Sequence, residues 1–250
     1  MQKALVGEDM YENYSEIFKL IKEVSLDVFK TMPLFFERVS NPKEKYIYLL
    51  IHDSFKNIEC ILECLNIDGL TSACVLLRQL IEQVSYVKVL TIYKDNVLNE
   101  YVRFYNAKQK YVHSFGNVDE FIVKLLYEYE IEDIENTDIA VFLEQGWLRL
   151  LTNKKDNKMS DLMKLADLKD LIAWRRYFNN FVHLALASNE FVDEKQSELK
   201  NNISYILCVL FDQLIVTYHS LSKYDYLIYS KSFRNKYKNL WENIKNARLI

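Results

Sequence analysis

Four glycines and two prolines in 250 residues leave this chain with very few of the residues that make tight turns. Strands and hairpins need such residues, so an all-β fold is excluded, and long helices joined by short polar connections are expected. Cysteine is also sparse. Cys60, Cys64, Cys74 and Cys208 form no CxxC pair and no regular ladder. Cys60 and Cys64 stand four apart on an expected helix, a spacing at which side chains rarely reach bridging geometry. All four read as buried free thiols of a reducing cytoplasm. No stretch approaches the roughly 18 consecutive apolar residues of a membrane span, and the N-terminal residues lack the apolar heart of a signal peptide. The expectation is a soluble, cytoplasmic chain with no membrane partner. With a net charge of −3 there is no global basic field to attract nucleic acid, and only a local cluster remains open.

The motifs of several enzyme classes are missing as well. There is no Walker A loop, no Rossmann glycine run and no nucleophile-elbow serine, and so few glycines could hardly build one. Zinc spacings are absent. None of the four histidines has Glu three residues before it, as a helical di-iron site requires. His52-Asp53 is an HD dipeptide, but His52 is the first histidine, so the upstream metal-binding His of such phosphohydrolases is missing. His113 and His219 lie on Tyr-rich helices without acidic or cysteine companions and read as structural. No metal or other cofactor is expected.

Half the residues are hydrophobic, enough for a substantial core. A first helix is expected from Glu8 to about Thr31, stopped near Pro33. Asn41-Pro42-Lys43-Glu44 reads as a helix start, with an Asn cap and Pro at the first helical position. The helix that follows carries Ile47, Leu50, Ile51, Ser54, Ile58, Ile61, Leu62 and Leu65 on one face and ends at Asp68-Gly69. From Leu70 to about Tyr93, Leu70, Ala73, Leu77, Leu80, Val84 and Val87 alternate three and four apart, the seam of a packed bundle. A Tyr-rich helix runs from Asp95 to Phe115, and Gly116-Asn117-Val-Asp-Glu120 combines a C-terminal Gly stop with a new capping box that opens an acidic helix reaching about Asn136. Further helices are expected to about Leu151, over Ser160–Leu165, from Leu168 to about Ala187 and from about Val192 to Leu221, with residues 153–158 as a loop. The fold class is therefore all-α: an up-and-down-like helical bundle with extra N- and C-terminal helices. It forms one domain over 1–250, with a core at about 43–222 and a Tyr- and Lys-rich helix at about 223–250.

Polar residues are placed most selectively on the helix Leu171-Ile-Ala-Trp-Arg-Arg-Tyr-Phe-Asn-Asn-Phe-Val-His183. With Arg176 at zero on a helical wheel, Asn179 falls near about −60°, Asn180 near about +40° and His183 near about −20°. Trp174, Phe178, Phe181 and Val182 crowd the other side. A neutral His in such a stripe suits removal of the proton of a ribose 2′-hydroxyl, while Arg holds the phosphate and stabilises its developing charge. The bland alternative is that every surface helix shows water some face. On residue content alone the solvated face ranks first.

Arg176-Tyr-Phe-Asn-Asn-Phe-Val-His183 resembles the Arg, four-to-six residues, His pattern of the HEPN superfamily. Its members are small helical bundles, many of them ribonucleases of toxin–antitoxin and antiviral systems. The family often places a polar residue directly after the Arg, where this chain has Tyr177. Separately, Asp68-Gly-Leu-Thr-Ser-Ala-Cys-Val-Leu-Leu-Arg-Gln-Leu-Ile-Glu82 looks like the signature helix of a bacterial helical family of unknown function. That family pairs an Ala…Leu-Arg…Leu-Glu helix with a later Val-His helix, as Ala73, Arg78, Glu82 and His183 do here. The second resemblance implies an architecture and no activity; the HEPN resemblance implies a metal-independent endoribonuclease acting on RNA, with the site formed where two copies of the Arg/His helix meet in a homodimer. It would cast His183 as base or acid, Arg176 as phosphate clamp, Asn180 and Asn179 as substrate-orienting and Arg175 as a further phosphate contact. Arg78 and Glu82 would flank the stripe if the two helices are neighbours; otherwise they are an i,i+4 pair at the bundle margin, worth a few tenths of a kcal/mol. The rival reading is a non-catalytic interaction or regulatory module with a protein partner. Tyr224, Tyr226, Tyr229 and Tyr237, interleaved with Lys223, Lys231, Arg234, Lys236 and Lys238, suit base stacking or, more commonly, a protein interface.

Overall fold

A computed structural model describes residues 5–131, 137–154, 156–183 and 196–221, together with 235, 236, 238, 239 and 242. Side chains are described from Tyr14 onward, without those of Val182, His183, Gln196 and Ser197. The elements in order are α1 (Leu5–Arg38), α2 (Lys45–Asn66), α3 (Leu70–Ile92), α4 (Lys94–His113), α5 (Glu120–Glu128), α6 (Ile139–Gln145), α7 (Arg149–Thr152), α8 (Met159–Leu165), α9 (Ile172–His183) and α10 (Gln196–Leu221). Short 3-10 turns at Pro42–Glu44, Gly146–Leu148 and Lys169–Leu171 lead into α2, α7 and α9. The chain is an all-α helical bundle, with no strand among the described residues.

The centre of the bundle is α3, which packs against α2, α10, α9, α8 and α4. All six seam residues from Leu70 to Val87 are at most 1% exposed. Their three-and-four spacing keeps one apolar stripe in register along the helix, and each large aliphatic side chain so buried contributes about 1.5–3 kcal/mol. On α2, Ile47, Ile51, Ile58, Ile61 and Leu65 are fully buried against it, and the short turn between α2 and α3 sets the two side by side and antiparallel. That turn is a Schellman closure: Asp68 takes the left-handed conformation (φ 56°) and the Gly69 amide donates to the Cys64 carbonyl at 2.8 Å. Asp68, rather than the glycine beside it, bears the unusual dihedral. It also accepts from Lys200 Nζ at 2.8 Å, tying the corner to α10.

Several helix boundaries differ from the sequence expectation. Pro33 does not stop α1, which runs on to Arg38. Pro33 is itself exposed, while Phe35 and Phe36 beyond it pack on the core and Phe35 sits edge-on to Tyr218 at 5.9 Å. That burial outweighs the lost backbone hydrogen bond. The acidic helix ends at Glu128, eight residues before the expected Asn136, because Glu130 turns left-handed (φ 57°) and the Ile131 amide closes on the Leu126 carbonyl. Residues 132–136, 184–187 and 192–195 of the expected helices lie outside the description, as does most of the Tyr- and Lys-rich C-terminal segment. Cys74 and Cys208 are buried free thiols as expected, but Cys60 is exposed and Cys64 only half-buried.

Helix α10 is the one described helix long and apolar enough to cross a membrane by length and composition, and 67% of that apolar window is buried inside the bundle. Its apolarity is accounted for by core packing: Ile203, Leu207, Phe211 and Leu214 are sealed against α3, α2 and α1.

Candidate functional site

Helix α9 starts from a tight connection. Asp167 turns left-handed (φ 55°), the Leu168 amide donates to the Met163 carbonyl at 2.8 Å, and the turn Lys169–Leu171 feeds the first residue, Ile172. Phe178 and Phe181 anchor one face in the core, and Trp174 and Tyr177 cover its edge. Tyr177 stands edge-on to Trp174 at 5.9 Å and to Phe181 at 5.5 Å, so the residue after Arg176 serves packing.

This anchoring places α9 directly beside α3, and the two helices exchange charge. Arg175 Nε donates to Glu82 Oε1 at 2.7 Å, and its Nη2 lies 2.6 Å from the same oxygen in an ion pair. Arg78 Nη2 reaches the same oxygen from within α3 at 3.2 Å. The three side chains are only 20–26% exposed, so this is an ion-pair network at the edge of the core rather than an open surface pair. Two guanidinium groups share one carboxylate, which leaves the cluster net positive. The buried Arg78 Nε has no hydrogen-bond partner among the described residues. Arg78 and Glu82 do form the expected i,i+4 pair, and among the described side chains their third member is Arg175 rather than Arg176.

Of the other described stripe residues, Arg176 and Asn180 point outward. Arg176 and Asn180 are exposed on neighbouring turns of α9, and Asn179 is half-buried. Arg176 makes no ion pair among the described residues. His183 is the last residue of α9, and its side chain lies outside the description. The structure thus brings Arg78, Glu82 and Arg175 together, sets Arg176, Asn179 and Asn180 on the solvent side of the same helix, and joins none of them to the other histidines. His113 is exposed. His52 rests edge-on against Phe29 at 5.4 Å beside Asp53, whose oxygen lies 3.5 Å from its ring nitrogen, too far for a strong hydrogen bond. Among the described residues no group of three His, Cys, Asp or Glu side chains is placed to hold a metal ion.

Glu82 faces two ways, because it also lines a cavity of about 210 Å³ between α3, α4 and α6. Sequence reading missed this feature. Its walls are Tyr86, Tyr101 and Trp147, with Tyr101 edge-on to Trp147 at 5.3 Å. Burial pushes the hydroxyls of Tyr86 and Tyr101 well above the ordinary tyrosine range, so both stay neutral. The Tyr-rich composition of α4 was the available signal, but the wall joins residues from 15 to 61 positions apart in sequence. A second, larger cavity of about 670 Å³ lies between α1 and α2, lined chiefly by apolar side chains such as Leu26, Phe29, Met32 and Leu49. Arg176, Asn179 and Asn180 line neither of these cavities.

Comparison with models of known protein families, with curated proteins and with solved structures finds no match to this chain.

Proposed function

We propose that this chain is a HEPN-like, metal-independent endoribonuclease, working in the cytoplasm as a homodimer across α9 in the manner of toxin or antiviral defence effectors. The observation that supports it best is the side-by-side exposure of Arg176 and Asn180 on a helix whose neighbouring Arg175 is locked to Glu82. An exposed guanidinium with no ion pair among the described residues, beside an anchored one, makes a positive, partly preorganised phosphate-binding face. In the proposed reaction His183 takes the proton of a ribose 2′-hydroxyl as its oxygen attacks the adjacent phosphorus. The bond from phosphorus to the 5′-oxygen breaks, and an acid on the second copy of α9 protonates that leaving oxygen. Arg176 holds the phosphate as charge grows on its oxygens. Asn180 and Asn179 orient the strand, Arg175 adds positive potential, and Arg78 and Glu82 position Arg175.

A second reading is a non-catalytic interaction module that binds a protein partner. It is favoured by the place of the stripe, on the outer face of the bundle and outside both cavities. Incubation of varied RNAs in EDTA with wild type, Arg176→Ala and His183→Ala separates the two. Cleavage by the wild type that both variants lose, with helicity unchanged by circular dichroism and a dimer by light scattering, is the expected result. A wild type that cleaves no RNA and is harmless on expression leaves the interaction module in its place.

A further inference from the structure

We propose that the cavity between α3, α4 and α6 binds a single unpaired nucleobase, with preference for a base carrying an exocyclic amine. The site is separate from the Arg176 face, and the proposal stands without the cleavage reading. At about 210 Å³ it is smaller than the roughly 300–1,000 Å³ of drug-sized sites, and so matches one ring system. Its lining is aromatic: the half-buried Tyr86 and the 37%-exposed Tyr105 offer rings on which a flat base stacks, and both are packed against the sealed Tyr101 or Trp147. Its polar groups argue for an edge to be read. The half-buried Gln83 and Gln109 line the cavity beside the exposed Gln79, and a polar ring edge pairs with amide groups that an apolar ring would cut off from water.

The orientation of these groups carries the preference. Gln83 Oε1 accepts from Asn57 Nδ2 at 2.8 Å, which commits its oxygen and leaves its amide hydrogens for a ligand acceptor. Glu82 receives both arginines on Oε1, and none of the described residues donates to its Oε2. That oxygen accepts from an amine, as the carboxylate partners of cytosine do in direct readout. Gln79 and Gln109 make no hydrogen bond to the described residues and can present either oxygen or nitrogen. Lys108, held to Glu144 Oε1 at 2.9 Å, places a cation on the lining for the phosphate attached to the base. Adenine, cytosine and guanine offer an amine; uracil does not.

The base has two sources, a free nucleotide or a single-stranded RNA, and titration calorimetry on the full chain in EDTA distinguishes them. AMP, GMP, CMP, UMP and a short unstructured RNA oligomer are titrated separately and then in competition. The expected result is binding of the amino-bearing nucleotides with UMP weakest, and about tenfold weaker binding by the Gln79→Ala/Gln109→Ala double variant, in line with the loss of two ordinary hydrogen bonds. Both residues sit at the rim, so the double variant keeps the core. In an Arg176→Ala background, which removes the phosphate clamp of the cleavage reading, the double variant causes the same loss of nucleotide binding. Displacement of the oligomer by nucleotide assigns the site to an RNA strand, and nucleotide binding without such competition assigns it to a free nucleotide. The proposal is overturned by the absence of binding at millimolar nucleotide and oligomer, by UMP binding as well as AMP, or by a double variant that binds as the wild type does.

Discussion

Arg175 and Glu82 stand 93 positions apart in sequence, yet a guanidinium nitrogen of the one lies 2.6 Å from a carboxylate oxygen of the other. That contact joins the two helices that carry the conspicuous polar residues of this chain, and it links the cavity lined by Glu82 to the helix that displays Arg176.

Removing the carboxylate leaves two partly buried guanidinium groups facing each other. Glu82→Gln is therefore expected to lower unfolding stability by about 1–3 kcal/mol, below the full cost of a sealed pair because water still reaches the cluster. Arg175→Met should cost less, since Glu82 keeps Arg78. Urea unfolding of both single variants and the double variant should give a favourable coupling of about 1 kcal/mol; additive losses would mean the contact contributes nothing.

Gly146 is held in a tight contact. A Cβ at this position would lie 2.5 Å from Phe104 Cε1, on a ring that is itself fully buried. Gly146→Ala should destabilise the protein by about 1–3 kcal/mol through overpacking and shift the adjacent Trp147 against Tyr101. A lowered melting temperature with altered near-ultraviolet dichroism is the expected signature, and an unchanged melt contradicts it.

Asp161 provides a pH test. Burial pushes its carboxyl up, but hydrogen bonds from Lys154 Nζ at 2.7 Å and the Lys158 amide at 3.0 Å, with the nearby lysine charges, win and hold it below the ordinary 3.8. A native pKa below the unfolded one stabilises the fold fully above the ordinary value, and the gain disappears as pH falls through the depressed value. The wild type should melt above Asp161→Asn at neutral pH, and the gap should close in acid below about pH 4. A gap that is constant from about pH 7 to about pH 2 would show that the charge contributes nothing.

Pro33 interrupts α1 at an exposed position, where its ring denies the helix a backbone hydrogen bond. Pro33→Ala should raise stability by about 1–3 kcal/mol, measured by urea unfolding. A loss of stability on substitution contradicts it.

Much of the framework was readable because its causes are local. The Leu70–Val87 seam and the Asn41 cap at 3.0 Å from the Lys43 amide depend on residues within a few positions of each other, whereas the capping box expected over residues 117–120 resolves to Asp119, which accepts from the Ile122 amide at 2.9 Å. The stripe on α9 was legible for the same reason, since a helix of known phase must show Arg176 and Asn180 together. Boundaries failed where distant packing competed with a local signal, as it does when the burial of Phe35 and Phe36 carries α1 through Pro33.

The sequence by itself determined that this protein is a helical bundle, which residues make its central seam and which polar side chains share one face of α9. Those outcomes follow from periodicity and capping, whose energies arise within one or two helical turns. Only the tertiary structure decided that Glu82 meets Arg175 rather than Arg176, and that Tyr86, Tyr101 and Trp147 enclose a cavity beside it. Such pairings are set by how helices dock, through the summed burial of many side chains, and no single stretch of chain encodes that sum.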